Sequence, residues 1–344
     1  MMMEHHIKVM PSGHEFHAVE EETLLDAALR SGLNIDFSCA SGSRGDCHAR
    51  LLQGELGRHD FHDHRFTAVE KAQGMFLLCT AHAAGDLVIE AGEARSTRDI
   101  PRQQIKTKVG KIEAVSEHLR ILQLKTPRTS PLRFLAGQHA QLSLPGIGSI
   151  DSSIASCPCN GAQLQFHIPY GEGSPFVEAL FAGLRHGTPI ELDGPFGEMT
   201  LDDDSPRPLL VVAQGHELAP MKSLIEHAIN LDLQQPIRFI WLAREGEHYM
   251  ENFCRSWGEA LDDYHFTSLA TAAADDDEAQ AGRALQLIES EVGAVDGWDI
   301  YWAGTDDFNR GLEQGLKGAG ADNDRLFFPR RRAASRRRVQ ALSG

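Results

Sequence analysis

Phe37-Ser38-Cys39-Ala40-Ser41-Gly42-Ser43-Arg44-Gly45-Asp46-Cys47 is the stretch on which the fold turns. Two cysteines eight residues apart bracket two glycines, and a third cysteine follows in Phe76-Leu77-Leu78-Cys79-Thr80. Gathered thiolates are soft metal ligands, and glycines let a backbone wrap closely around what those thiolates hold. The 344-residue chain has six cysteines, at 39, 47, 79, 157, 159 and 254. In a chain of this size, spaced cysteines point to a metal, a cluster or redox chemistry before they point to disulfides.

The spacing matches a specific arrangement. A 2Fe–2S cluster of the plant ferredoxin type takes a C-x4-C-x2-C loop and one distant cysteine. Cys39 and Cys47 stand where the first and third ligands belong, and Cys79 is the distant one. The second ligand position holds Arg44. Arginine stays protonated and only donates hydrogen bonds, so it is no ligand for iron. Three thiolates then leave one iron open, to be completed by water, Ser43 or Asp46. The plainer reading makes the three cysteines small, partly buried hydrophobes.

Outward from this loop the chain divides into three blocks and a tail. Residues 1–96 begin with strand-like Ile7-Lys8-Val9 and Glu15 to Val19, then a helix from Thr23 to Arg30 with Thr23 as N-cap and Gly32 as terminator. Residues 100–205 read as short alternating strands (Lys108 to Val115, Leu119 to Leu124, Ala140 to Leu144, Leu164 to Ile168, Pro189 to Leu192), broken by Gly-Pro turns and one helix near Pro175 to Leu184. That pattern predicts a small antiparallel barrel. Residues 206–328 alternate a continuous apolar strand (Leu209 to Ala213) and further strands (Ile237 to Leu242, Trp298 to Ala303) with helices at Pro220 to Ile229 and Phe308 to Lys317. Buried strands alternating with helices predict a doubly wound parallel sheet. Ala272 to Glu278 reads as a mobile loop, and 329–344 as a basic, disordered tail.

Charge narrows the partners. The chain carries 33 basic and 49 acidic residues, a formal charge of −16. Without the six arginines of the last 15 residues the balance is −22. Such a body repels nucleic acid and anionic membrane. No apolar run reaches the roughly 18–20 residues that a membrane helix needs, and Met1 to His6 lacks the pattern of a secretory signal. The cytoplasm is the expected compartment.

Taken in order, these landmarks resemble the reductase components of bacterial oxygenases, most of all the CDP-6-deoxy-glucoseen-reductase-like group. Phe37-Ser38-Cys39, Leu51-Leu52-x-Gly54-Glu55, Leu77-Leu78-Cys79 and Asp86-Leu87-x-Ile89-Glu90 fit its ferredoxin part. Ala136-Gly137-Gln138, Ser153-Ile154-Ala155-Ser156 and Gly194-Pro195-x-Gly197 fit its flavin barrel; Ala219-Pro220 and Ala303-Gly304 fit its nicotinamide domain. The resemblance implies a β-grasp ferredoxin-like domain of α+β class, an antiparallel β-barrel for FAD and an α/β doubly wound domain for NAD(P)H. It implies electron transfer from NAD(P)H through FAD and a 2Fe–2S cluster to an oxygenase or dehydratase partner.

The resemblance also assigns sites. Cys39, Cys47 and Cys79 would hold the cluster. Ser153, Ile154, Ala155, Ser156, Gly171 and Ser174 would hold FAD, the last two at the head of a helix suited to a pyrophosphate. Gly215, Ala219, Pro220 and Gly304 would line the nicotinamide site. No catalytic side chain is implied, since the cofactors carry the chemistry. Each signature departs from the family. The R-x-Y-S segment is Ile150-Asp151-Ser152-Ser153, Glu172 stands in the pyrophosphate turn, and G-G-T-G-x-A-P is Gln214-Gly215-His216-Glu217-Leu218-Ala219-Pro220. The later C-G-P-P is Ala303-Gly304-Thr305-Asp306. One lost charge-assisted phosphate contact costs about 1.5–3 kcal/mol, so FAD binding is weakened rather than abolished.

Two further clusters stand out. His59-Asp60-Phe61-His62-Asp63-His64 is either a divalent-metal site or a solvated loop. Cys157-Pro158-Cys159 is redox-active, a soft-metal pair or core packing; the rigid proline argues against a disulfide. A rival to the electron-transfer reading follows from the three damaged signatures: a reductase-shaped scaffold that has lost one or more cofactors and works by binding.

Overall fold

A computed structural model describes residues 4–37, 42, 43, 45–127 and 129–329. Cys39, Arg44 and the basic end from residue 330 lie outside the described residues.

The first unit contains β1 (Glu4–Met10), β2 (Glu15–Val19), α1 (Leu24–Arg30), β3 (His48–Gln53), β4 (Leu56–His59), α2 (Ala68–Ala72), β5 (Met75–Leu77), β6 (Ala81–Ala83) and β7 (Leu87–Ala91). Its sheet runs β2-β1-β7-β3-β5, with β1 and β7 parallel, and β4 pairs separately with β6. This is the expected β-grasp. Thr23 caps α1 by accepting the Asp26 amide at 3.1 Å, and Gly32 follows the helix at φ 87°. The helix buries Leu24, Leu25, Ala27 and Ala28 against Ile7, Val9 and Ile89 of the sheet. A fully buried leucine or isoleucine contributes about 1.5–3 kcal/mol.

The second unit is all antiparallel. Strands β8 (Gln103–Ser116), β9 (Leu119–Lys125), β10 (His139–Leu144), β11 (Gly148–Ser153), β12 (Gln163–Pro169) and β13 (Pro189–Phe196) follow the spatial order β11-β10-β13-β8-β9-β12. Helix α3 (Pro175–Gly183) covers one end, with Phe176, Val177 and Leu180 in the barrel core.

The third unit comprises β14 (Leu209–Gln214), α4 (Leu218–Asn230), β15 (Ile237–Arg244), α5 (Glu251–Ser256), β16 (Tyr264–Thr271), α6 (Asp277–Glu291), β17 (Asp299–Ala303), α7 (Asp306–Gly318) and β18 (Leu326–Phe327). The sheet order β16-β15-β14-β17-β18 is parallel throughout. Every residue of β14 and β17 is buried, as a strand covered on both faces requires. The strands put their C-terminal ends, and the turn after β14, at the crevice where such sheets bind ligands.

Residues 272–276 form a loop, and its last acids act on the helix that follows. Asp275 accepts the Ala272 amide at 3.0 Å, and Asp276 caps α6 by accepting the Ala279 amide at 2.8 Å.

Candidate functional site

The cysteine site is assembled by backbone bonds between distant segments. The Leu78 amide donates to the Cys47 carbonyl at 2.9 Å, and the Leu25 amide donates to the Leu78 carbonyl at 3.0 Å. These bonds tie the end of the loop and the Cys79 segment to α1. Cys47 and Cys79 are buried, and their sulfurs lie 2.9 Å apart. Gly42 and Gly45 adopt φ of 67° and 82°, backbone that other residues rarely take. A Cβ at Gly42 would stand 2.6 Å from His62 Cβ, and one at Gly45 would enter the His64 ring. The glycine loop and two converging sulfurs fit a cluster, while Arg44 leaves the ligand set one thiolate short.

The histidine-rich segment has a mixed fate. Phe61 is 90% exposed and Asp63 is exposed, as in a solvated loop. His62 and His64 instead fold over Gly42 and Gly45, and His62 Nδ1 is buried with no hydrogen-bond partner among the described residues. His82 bonds to the Glu20 carbonyl at 3.0 Å and to Asp60 at 3.2 Å. Burial, and then His62 and His82, push the His59 pKa down. Among the described residues no three His, Cys, Asp or Glu side chains converge to hold a single ion.

The flavin segment leaves β11 between the barrel and α4. Ile154 and Ala155 are fully buried. Their amides donate to Gln138 O at 3.0 Å and Gln165 O at 2.7 Å. From α4, Lys222 Nζ donates to Ala155 O at 3.2 Å and Ser223 Oγ to Ser156 O at 2.8 Å. Gly137 is required nearby: a Cβ there would meet Met199 O at 2.6 Å. Ser153 is half-buried at the end of β11. Across the barrel end, Ser174 caps α3, and Gly171 has open space around it. A capped helix head with a bare glycine before it fits a phosphate. Ile150 stands at the position of the family's arginine, and Asp151 beside it, exposed on β11, adds a negative charge.

The nucleotide turn keeps its frame and changes its contents. Gly215 adopts φ 55° and has open space around it. Ala219 and Pro220 are buried in the first turn of α4, and Gly304 is buried after β17. The side chain of Gln214 spans the gap between the strand ends. Its Nε2 donates to Asp277 at 2.8 Å and Gln280 at 3.1 Å, and its Oε1 accepts the Thr305 amide at 2.9 Å. Thr305 Oγ1 donates to Asp277 at 2.6 Å. Gln214 stands at the first glycine position of the family's motif, so its side chain fills space that a glycine would leave empty. Beside it His216 packs against Tyr249, which bonds to His167 at 2.8 Å and packs on Trp241. Burial depresses the His216 pKa, takes His167 down to about 3 and raises Tyr249 well above its usual value. These imidazoles are neutral at pH 7.

Cys157 and Cys159 are disulfide-linked, contrary to the expectation from the intervening proline. Pro158–Asn160 forms one turn of 3-10 helix, which brings the two Cα atoms to 5.2 Å, within the range a disulfide spans. Gln214, Lys222, Ser223, His227, Asn230 and the His167–Tyr249 pair were not singled out from sequence for these contacts. Their partners lie tens of residues away in the chain, beyond the reach of any local pattern.

Residues 7–84 match the family model of the 2Fe-2S iron-sulfur cluster binding domain. The chain is 32% identical over 276 residues to the reductase component of propane 2-monooxygenase from a Gordonia species, covering 79% of this chain and 80% of that one. It is 26% identical to the CDP-6-deoxy-L-threo-D-glycero-4-hexulose-3-dehydrase reductase of Yersinia pseudotuberculosis, over 87% and 90% of the two chains. The solved ferredoxin reductase of carbazole 1,9a-dioxygenase has the same fold, with a TM-score of 0.56, 20% identity and coverage of 96% and 99%.

Proposed function

We propose, since this chain belongs to the reductase components of oxygenases and sugar dehydrases, that it is an electron-transfer oxidoreductase. It passes electrons from NAD(P)H by way of FAD and a 2Fe–2S cluster to a protein acceptor of the oxygenase or dehydratase type. When bound, these groups supply the conversion of a two-electron hydride into single electrons. The observation that carries the reading is the buried convergence of Cys47 and Cys79 beside the glycine loop, in the domain the family model matches.

In this reading Cys39, Cys47 and Cys79 hold the cluster within residues 1–96. Ser153 to Ser156, Gly171 and Ser174 hold the flavin in the barrel, 100–205, and Gly215, Ala219, Pro220 and Gly304 shape the nicotinamide site of 206–328. Lys222 and Ser223 fix the carbonyls of the flavin segment, so the barrel and α4 share one wall. Residues 329–344 are a basic tail. Among the described residues no helix is long and apolar enough to cross a membrane. The cytoplasm, where NAD(P)H is made available, completes the reading.

The Gln214 network favours a second reading, a reductase-shaped scaffold that binds partners after losing its nicotinamide site. An anaerobic absorbance spectrum with iron and flavin counted per chain, followed by titration with NADH and NADPH, separates the two. Flavin bands, iron and bleaching by a reduced nicotinamide support electron transfer. A featureless spectrum after reconstitution with iron, sulfide and FAD overturns it in favour of the scaffold.

A further inference from the structure

We propose that Cys157 and Cys159 form a reversible dithiol–disulfide centre, reduced by an external protein dithiol, whose state is read at the junction of all three units. The pair belongs to the barrel, but its surroundings come from elsewhere. The Cys159 amide donates to Cys157 Sγ at 3.2 Å. From the C-terminal end of α4, Asn230 Nδ2 lies 3.3 Å from each of the two sulfurs, and His227 Nδ1 lies 3.8 Å from Cys157 Sγ. Hydrogen-bond donors aimed at a sulfur stabilise it as a thiolate, which makes it a better leaving group in exchange.

The two sulfurs differ in access. Cys157 is 5% exposed, whereas Cys159 is half-buried. Both line an open cleft of about 500 Å³ with Gln165, Glu226, Asn230 and Trp257. An incoming thiolate therefore meets Cys159 first. A bond forms from that thiolate to Cys159 Sγ, the Cys157–Cys159 bond breaks, and Cys157 leaves as a thiolate among its donors. The second thiolate of the donor then attacks its own sulfur in the mixed disulfide and releases Cys159. The pair gains two electrons and takes up two protons, and the donor dithiol becomes a disulfide.

The same helix end touches the ferredoxin-like unit. Leu231 packs on that unit's core, and a Cβ at Gly32 would lie 3.1 Å from Leu231 and 3.4 Å from Asn230 Cβ. Pro158 and Cys159 also line a second cleft with Leu29, Phe37 and Phe134. Opening the disulfide releases the constraint on Asn230 and on the 158–160 turn together. The contact that moves is the one between α1 and the other two units.

The test uses the full chain. It is equilibrated under native conditions in graded ratios of reduced to oxidised dithiothreitol, quenched in acid and alkylated with N-ethylmaleimide; the peptide carrying Cys157 and Cys159 is then weighed. The expected result is joint alkylation of both cysteines along a single two-electron transition. Asn230→Ala slows the approach to reduction about five- to tenfold through one lost donor. Amide exchange over residues 24–33 rises severalfold in the reduced protein, and in a Cys157→Ser, Cys159→Ser variant it stays at the reduced level in either buffer. A bond that yields only after unfolding is a structural staple and overturns the proposal. So do cysteines that alkylate in fully oxidised buffer, or exchange at 24–33 that ignores the redox state.

Discussion

Arg133, in the barrel, pairs with Asp36 of the ferredoxin-like unit, Nη2 to Oδ1 at 2.5 Å, and its guanidinium stands 5.5 Å from the centre of the Phe37 ring. The arginine is largely buried and the aspartate half-exposed, so the pair keeps more of its strength than a surface ion pair does. Asp36 and Phe37 immediately precede the cysteine loop in sequence, so the contact ties the barrel to the segment that leads into it. Arg133→Ala should cost about 1–2 kcal/mol in urea unfolding, through the lost charge-assisted bond and the lost stacking. Arg133→Lys should recover only part of this, because lysine lacks the planar fork. Faster amide exchange at 33–37 in the alanine variant, with little change in β14 and β17, would place the effect at this joint.

Two buried histidines make the fold acid-sensitive. Burial holds the pKa of His227 near 4 and, with Lys222 and His216 adding to burial, that of His167 near 3. In the unfolded chain both titrate near the ordinary 6.5, so the unfolded state takes up protons that the folded state refuses. Their contribution is fully present above about pH 6.5 and is lost as pH falls towards the depressed values. Linkage puts the loss at about 1.4 kcal/mol per histidine one pH unit below 6.5. His167→Gln keeps a polar partner for Tyr249 and does not titrate. Its urea midpoint should therefore fall less between pH 7.5 and 5.5 than that of the parent chain. A parallel fall in both proteins would show that carboxylates, not His167, govern this range.

The parts that were legible in sequence were those written in short-range pattern. The mostly apolar runs at 209–213, 237–242 and 298–303 contain the buried parallel strands β14, β15 and β17, because a strand covered on both faces shows little alternation. Thr23 and Gly32 marked the ends of α1, because caps are local chemistry. The spacing of Cys47 and Cys79 pointed to their convergence. What sequence could not show were contacts set by the packing of units: Asn230 on two cysteines 71 and 73 residues away, Arg133 on Asp36 97 away, and His62 over Gly42. The Cys157–Cys159 bond runs against the expectation from sequence, in which the proline is a rigid obstacle. In the fold it starts the 3-10 turn that brings the two cysteines within reach of each other.

Arg44 is the departure most directly reversed. Arg44→Cys restores the fourth thiolate to the cluster pattern, in place of a side chain that cannot ligate iron. Iron and acid-labile sulfide, counted after anaerobic reconstitution, should rise to about two of each per chain in the variant. The charge-transfer bands should also persist longer in air than in the parent protein. Equal iron and equal persistence in the two proteins would mean that a side chain of the parent already serves as the fourth ligand.

Gln214 is the side chain that bridges the proposed nicotinamide crevice. Its amide joins Asp277, Gln280 and Thr305 across the ends of β14 and β17, in the space that the family's glycine leaves free. Gln214→Gly removes that bridge while Thr305 keeps its own bond to Asp277. The variant loses three hydrogen bonds and gains unfolded-state freedom, so it should be less stable by about 1–3 kcal/mol. Against that loss, NADH should bind at least tenfold more tightly, a gain of about 1.4 kcal/mol or more. Titration of the flavin-loaded chain under anaerobic conditions reads the affinity, and ADP-ribose serves as the non-reducing control. Tighter binding of both ligands shows that the glutamine is a plug on a retained site. If neither binds, Glu217 and His216 are sufficient to close the turn, and a second substitution, Glu217→Gly, becomes the deciding one.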